Sequence, residues 1–511
     1  MTKGSSTAIN SNTSLSCLVP PHVRRLEERT GERGVMDAQR TFTLADQHAF
    51  ADCVADYNPI HVDPQQARKL IGGSCVVHGI HGLLWALEVL DDVHKRLAQC
   101  AALSVHFRRT ITIGTQVTAR LVSSSDKQQK IEIASIEGVC STITLKFGTV
   151  ANPNLAKPFS LTSRVPRLAE PVELELDEIV GVEGRIAFGQ TLETAIELAF
   201  PKLARILSVA CVSDIAVTST VVGMHVPGLH SLYSELSITF APSPDPVDGL
   251  SFRATQFDER FRLVIVDLSA RAFRGIVTAF VRFPAMVPPK AAEIALRIGR
   301  NTFSGRNALV VGGSRGIGAV TAKIIAAGGG LVTVTYLDGA AQAEEVVADI
   351  VATFGDGSAE ILRFDAAAEA LSLHPDVLAS FDSIYYFATP KISAGSDKGY
   401  SSSMFEGFLS IYVTGFWRLF DGFRTARKER GGYIFYPSTI YLEERPKGMT
   451  EYAMAKAAGE VLCADIAKNY PNWEIAIPRL PRIATDQTLT VPPIKSEDPL
   501  DAMIRVLDVS A

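Results

Sequence analysis

The chain has 511 residues, 47% hydrophobic and 21% charged, with a net charge of −5. That is more chain than one hydrophobic core holds, so about two to four domains are expected, and the composition excludes a disordered or fibrous protein. The charge offers no bulk attraction to nucleic acid or to an anionic membrane, so neither is expected as a partner. Seven cysteines are scattered without CxxC or zinc-type spacing. An odd count of that kind predicts buried thiols in a reducing compartment rather than a disulfide framework, and no metal site.

Residues 1–37 are rich in Ser, Thr and Asn, then charged, with no apolar secretory segment. They read as a flexible arm of a cytoplasmic protein. No run of about eighteen apolar residues follows anywhere, so no membrane span is expected.

A first domain is expected over 38–152. It contains ADYNPIHVD, residues 55–63, whose Asn-Pro step breaks a helix and favours a turn. Taken alone, this stretch reads as a polar surface turn. Val77 to Leu90 is apolar throughout and predicts a buried helix. The alternating segments LSVHFRRTITIG, TQVTARLVSS, QKIEIASIEG and STITLKFGTV read as successive antiparallel strands. One helix followed by a meander predicts a sheet wrapped around a central helix.

Residues 153–171 are rich in Pro, Asn and Ser and read as a linker. Residues 172–290 repeat the helix-then-strands order. AFPKLARILSVACVSDIAV is the helix, and VVGMHVPGLHSLYSELSITFAP and two further alternating segments are the strands. A tandem copy of one α+β fold is therefore expected. Past the Pro-rich FPAMVPPKAAE, residues 300–511 alternate strand and helix, which predicts an α/β doubly wound parallel sheet.

The strand Asn307–Val311 runs into Gly312-Gly313-Ser314-Arg315-Gly316-Ile317-Gly318 and then a helix. Glycines there permit a tight turn and close backbone approach to a pyrophosphate, while the helix N-terminus supplies N–H donors. Tyr452 and Lys456 lie one helical turn apart on a common face. This set resembles the short-chain dehydrogenase/reductase family. The resemblance implies Tyr452 as proton donor and acceptor, assisted by Lys456, which would also hold the nicotinamide ribose. It places a substrate-binding hydroxyl at Ser438 or Thr439, 14 and 13 residues before the tyrosine, with Ser438 preferred. Cofactor contacts are carried over to Gly312, Ser314, Arg315, Gly316, Ile317, Gly318, Asp365, Ala388, Tyr452, Lys456 and Thr485. The second strand ends in Thr335-Tyr336 with Asp338 two residues beyond. With Arg315 as a partner for a 2′-phosphate, NADP is preferred to NAD. Three positions depart from the family pattern. Tyr412 replaces an asparagine, Phe387-Ala388-Thr389-Pro390 replaces Asn-Ala-Gly, and Pro481-Arg482 replaces Pro-Gly.

Phe50-Ala51, Asp56-x-Asn58-Pro59-x-His61, Ala67, Gly72-Gly73 and His78-Gly79 resemble the MaoC-like, (R)-specific enoyl hydratase branch of the hotdog fold. Ala55 stands where a glycine usually precedes the aspartate. The resemblance implies that Asp56 and His61 hold a water between them, that Asn58 orients the pair, and that backbone N–H groups around Gly79 stabilise an enolate oxygen. His78 and His81 are read as packing or oxyanion-side support and Asp63 as a cap. The second block lacks the motif and is read as a non-catalytic hotdog partner, with His225 and His230 structural. The whole implies a bifunctional enzyme on an acyl thioester of coenzyme A or acyl carrier protein, hydrating enoyl groups and reducing 3-ketoacyl groups. Two narrower readings stay open, a single retained activity (the hydratase) and an acyl-thioester-binding scaffold. A homodimer is left open as well.

Overall fold

The computed structural model describes residues 37–68, 73–148, 163–187, 189–241, 249–392, 399–488 and 494–508, with 159, 161 and 490. The arm expected over 1–37 lies outside these residues apart from Asp37, as does Gly72 and much of the stretch 153–162 expected to begin the linker. The chain divides into two compact units, one essentially up to Pro284 and the other essentially from Ala285 onward.

The first unit is one ten-stranded antiparallel sheet. Its strands are β1 (Ala38–Thr41), β2 (Cys100–Phe107), β3 (Gln116–Ser124), β4 (Gln128–Ser135), β5 (Gly138–Phe147), β6 (Glu183–Ile186), β7 (Ser231–Phe240), β8 (Leu250–Asp258), β9 (Leu263–Ser269) and β10 (Phe273–Val281). Period-two burial, complete along β10, turns one face of each strand to the core. The spatial order is β1-β3-β4-β5-β2-β7-β10-β9-β8-β6. From the two edges inward, the halves run β1-β3-β4-β5-β2 and β6-β8-β9-β10-β7, the same order twice. They join where β2 pairs with β7, Val105 opposite Leu236. The helix Gly79–Val89, apolar on nearly every side, and the helix Val209–Thr220 share one apolar core with both half-sheets.

The second half departs from its expected helix. Residues 199–217 do not form one rod. Pro201 opens a new short helix, Ser208 takes φ +74°, and the chain bends by 114° into Val209–His225. A proline lacks the N–H that would continue the first piece. Val221–His225, expected to lead into a strand, is π-helical, and β7 begins only at Ser231. The stretch expected as a linker is described continuously from residue 163, where Arg164 bridges Arg185 on β6. Among the described residues no single helix is long and apolar enough to cross a membrane.

The second unit is a parallel sheet in the order β13-β12-β11-β14-β15-β17. The ranges are β11 Asn307–Val311, β12 Leu331–Tyr336, β13 Ala359–Arg363, β14 Ser383–Tyr386, β15 Gly432–Phe435 and β17 Trp473–Ala476. A separate short pair, β16 (Ser438–Thr439) and β18 (Arg479–Leu480), lies beyond the ends of β15 and β17. Helices cover both faces, giving two apolar layers. Ala291 and Ile294, ahead of the expected start at 300, are fully buried in one of them.

Candidate functional sites in the two units

In the first unit, the helix Leu44–Val54 ends at Ala55, which takes φ +61°, ψ +43°. A left-handed residue turns the chain sharply after a helix, which is why glycine suits this position. Asn58 then caps a new four-residue helix, Pro59–Val62, accepting from the Ile60 N–H at 3.2 Å with proline at its first position. The Asn-Pro step therefore starts a helix, and this presents His61 on the same side as Asp56. Asp63 caps the next turn, accepting from Gln65 and Gln66.

Asp56, His61 and His78 bring a carboxylate oxygen and two ring nitrogens within 4.8 Å of one another. The His61 and His78 rings stack at 3.8 Å and 24°, so their nitrogen lone pairs run side by side instead of converging on one point. That arrangement suits proton handling better than a shared ion. His61 Nδ1 lies 2.8 Å from the Val76 carbonyl. A carbonyl only accepts, so Nδ1 carries the hydrogen and Nε2 keeps its lone pair. His78 Nδ1 meets Gln47 Oε1 at 2.9 Å and its Nε2 meets the Asp56 carbonyl at 3.1 Å. Both partners are acceptors, and a neutral ring donates to one of them only. Burial raises the Asp56 carboxyl to about 7, against hydrogen bonds from Ser219 and the Asn58 N–H that favour its charged form. Burial lowers His61 to about 4, the Val76 contact opposing this and the Arg282 charge adding to it.

The pocket at this pair has a volume of about 190 Å³ and is lined by Asp56, His61, Gly79, Phe107 and, from the second half, Ser219, Gly223, Ser231 and Tyr233. Gly79 opens the helix Gly79–Val89, whose N-terminus has no side-chain cap, leaving first-turn N–H groups for a ligand oxygen. Sequence reasoning missed the contribution of the second half. Ser219 Oγ donates to Asp56 Oδ2 at 2.6 Å, and a Cβ on Gly223 would lie 2.2 Å from Asp56 Oδ1. The Asn58 backbone meets the pair, its N–H donating to Asp56 Oδ1 and its carbonyl accepting from the His61 N–H. The side-chain Nδ2 faces the carbonyls of Gly223 and Gly228 at 2.9 and 3.0 Å, so it ties the motif to the second half. His81 stacks on Phe50 at 4.7 Å as a packing residue. His225 is buried against Phe252, and His230 pairs with Glu173.

In the second unit, Gly312 takes φ +77° and Gly316 φ +57°. A Cβ on Gly318 would lie 2.3 Å from the Gly312 carbonyl, and one on Gly312 would lie 2.9 Å from the Ala388 nitrogen. The loop is thus folded tightly over the start of the helix Gly316–Ala327, which begins after Arg315 with no side-chain cap. Ser314 and Ile317 lie in the same turn, and the Thr485 methyl faces Gly316. Backbone pressed this close, with free helix N–H groups, fits a dinucleotide pyrophosphate. Thr335 Oγ1 accepts from the Gly312 N–H at 3.0 Å, and Asp338 beyond it is exposed. Asp365 lies two residues past the end of β13, accepting from the Ala367 N–H.

Of the two hydroxyls preceding the tyrosine, Ser438 donates to Glu460 at 2.5 Å, whereas Thr439 hydrogen-bonds the Tyr452 phenol. Both hydroxyls stay candidates for the substrate oxygen, and the contact with Tyr452 favours Thr439. Adjacent strand residues point to opposite sides, and spacing alone does not say which side faces the tyrosine. Burial pushes Tyr452 up to about 12 and Lys456 down to about 7. Lys456 Nζ donates to the Pro437 carbonyl at 2.7 Å.

Residues 26–144 match the family model described as MaoC like domain, and residues 306–486 match the one described as short chain dehydrogenase. The mitochondrial 3-hydroxyacyl-[acyl-carrier-protein] dehydratase of Arabidopsis thaliana is 31% identical over 83 residues, 16% of this chain and 49% of that protein. The chain thus spans about half the length of that curated relative. Among solved structures, a 3-oxoacyl (acyl-carrier-protein) reductase from Agrobacterium tumefaciens C58 with NADP bound is 18% identical over 42% of this chain and 90% of its own, with a TM-score of 0.36. A dehydrogenase/reductase from Sinorhizobium meliloti 1021 is 20% identical over 43% and 92%, with a TM-score of 0.35. The angucycline C-6 ketoreductase LanV with bound NADP is 20% identical over 42% and 90%, also at 0.35. This chain joins a MaoC-like hotdog domain to a short-chain dehydrogenase domain of Rossmann type.

Proposed function

We propose that this chain is a bifunctional enzyme on acyl thioesters. One site hydrates a 2-enoyl group or dehydrates its (R)-3-hydroxyacyl product, and the other interconverts 3-ketoacyl and 3-hydroxyacyl groups with NADP. The observation that carries it is the convergence of Asp56 and His61 at a pocket in a chain that also holds Thr439, Tyr452 and Lys456 behind a glycine-rich loop. The two reactions share the 3-hydroxyacyl thioester. The dehydratase and reductase activities in the names of the relatives are the two expected here.

In hydration, a water held by Asp56 and His61 adds its oxygen to the β-carbon. One of the pair takes the water's proton, and the other gives a proton to the α-carbon. With His61 Nδ1 committed to Val76, Nε2 is its working atom. First-turn N–H groups beginning at Gly79 hold the thioester oxygen as negative charge develops there. Residues 172–290 are read as a second hotdog unit without a pair of its own, a reading supported by the repeated strand order.

In reduction, Thr439 donates to the keto oxygen and Tyr452 hands it a proton, while Lys456 holds the nicotinamide ribose. The bound nicotinamide would supply the hydride. NADP is favoured over NAD because no carboxylate ends β12 and Arg315 sits at the start of the helix Gly316–Ala327.

Purified protein is assayed with 3-ketoacyl and trans-2-enoyl thioesters of coenzyme A and of acyl carrier protein. NADPH oxidation with the first and loss of enoyl absorbance with the second are expected, and neither occurring sinks the proposal. Asp56→Asn should remove hydration alone and Tyr452→Phe reduction alone, each by about 10²–10⁴-fold.

A further inference from the structure

Two departures from the dehydrogenase pattern, separate in sequence, meet in space. Tyr412 lies in the π-helical turn Ser410–Gly415 and is buried. Its hydroxyl is 2.5 Å from Thr389 Oγ1. Thr389 gives its own hydrogen to the Pro390 carbonyl at 2.9 Å, so Tyr412 is the donor between them. This bond fixes the ring from its far end, and stacking on Phe408 at 5.8 Å and 6° fixes it from one face.

Lys456 Nζ lies 4.0 Å from the centre of that ring and 5.1 Å from the centre of Tyr436. Tyr436 in turn donates its hydroxyl to the Tyr412 carbonyl at 2.9 Å, which locks the two rings together. A Cβ on Gly459 would lie 2.0 Å from the Tyr436 oxygen, so the helix bearing Lys456 is cut away to admit it. Around the ammonium stand Glu460 and Cys463 from its own helix, Tyr412 from the π-helical turn and Tyr436 from the end of β15. Glu460 is itself held by Arg479 of β18 at 2.7 Å and by Ser438. The lysine is 6% exposed, and it donates to the uncharged Pro437 carbonyl. A cation in so dry a place needs a partner, and a ring face supplies one through its quadrupole.

We propose that Tyr412, pinned by Thr389, is a positioning residue that holds the Lys456 ammonium against its ring face and keeps it aimed at the nicotinamide ribose. This rests on the reductase reading above. It differs from that reading in assigning the lysine's place and charge to an aromatic box at the position where the family carries asparagine.

The test replaces Tyr412 in the full-length protein by phenylalanine and by phenylalanines with one to five ring fluorines. Shape is nearly constant along the series while the ring face loses its negative potential. Binding of NADPH is read by fluorescence, and melting temperature is read against pH. Affinity should fall stepwise, by about tenfold over the series. The second readout needs no cofactor. Burial holds the lysine near 7 in the folded state, below its unfolded value of about 10.4. Stability therefore climbs with pH between those values as the buried charge is relieved, and the onset of that climb should move down with each fluorine. Tyr412→Leu should lose affinity, and Tyr412→Phe should restore most of it. A flat series in both readouts, or equal loss in the leucine and phenylalanine variants, overturns the assignment. Failure of the parent protein to bind NADPH instead overturns the reductase reading, and the melting series then still decides the box.

Discussion

The two sites answer burial in different ways. At the first, burial acts on an acid and a base and drives their pKa values past each other, Asp56 up to about 7 and His61 down to about 4. The pair then holds one proton between those values without becoming an ion pair. At the second, burial acts on two groups that are ordinarily protonated at neutral pH, pushing Tyr452 up to about 12 and Lys456 down to about 7. Dryness thus prepares the first pair for exchange, while the second needs added partners, the Thr439 hydroxyl and the ring faces over the lysine. The first site also draws on two halves of a repeated sheet, whereas the second takes all its groups from one doubly wound unit.

The largest expected effect that breaks this contrast comes from Gly223→Ala. With a Cβ 2.2 Å from the Asp56 carboxylate, the pair must shift. Hydration should fall by about 10²-fold or more, with overpacking costing about 1–3 kcal/mol in a denaturant melt, while NADPH oxidation continues. Next, Thr439→Ala should lower kcat for reduction by about 10²-fold, in the range of a lost oxyanion donor. Ser438→Ala should instead act mainly on stability, by about 1 kcal/mol through the lost bond to Glu460. Equal kinetic losses would mean that the two strand residues exchange roles.

The pH profile of hydration sharpens the comparison. The pair needs one proton in total, so activity should rise as pH climbs through about 4 and fall as it passes about 7. Ser219→Ala removes a hydrogen bond to the charged carboxylate, so the Asp56 pKa should rise further and the alkaline limb move upward, with a lower rate at the optimum. A limb that stays put, or moves down, shows that Ser219 does not tune the pair. The smallest effect is Ala55→Gly, which relieves a left-handed alanine and should raise stability by up to about 1 kcal/mol in a denaturant melt.

The residues legible in the sequence were those whose logic is local. Asp56 and His61 are five positions apart, and Tyr452 and Lys456 four, so one turn of chain brings each pair together. The glycine loop was legible because its flanking strand and helix are continuous with it. Ser219 and Gly223 were not, since they reach Asp56 from more than 160 positions away, and nothing near them in the chain points to a carboxylate. The break at Ser208 was hidden because an apolar run reads the same whether it is straight or bent by 114°. The Tyr412–Thr389 contact was visible only as two unrelated departures, because its meaning is a distance.

The repeated strand order on either side of the β2–β7 seam carries one more consequence. In a dimer of identical subunits, any residue that supports the neighbour's site must also be tolerated beside its own, because every mutation appears twice. With both halves on one polypeptide, that obligation lapses. Ser219 and Gly223 can specialise as hosts for Asp56 while their own half carries no Asp-x-Asn-Pro-x-His motif, and the first half can keep its motif without learning to serve another. Such a chain is free to accumulate asymmetric changes, and the pocket it builds has one lining where a twofold assembly would have to make the same compromise in both.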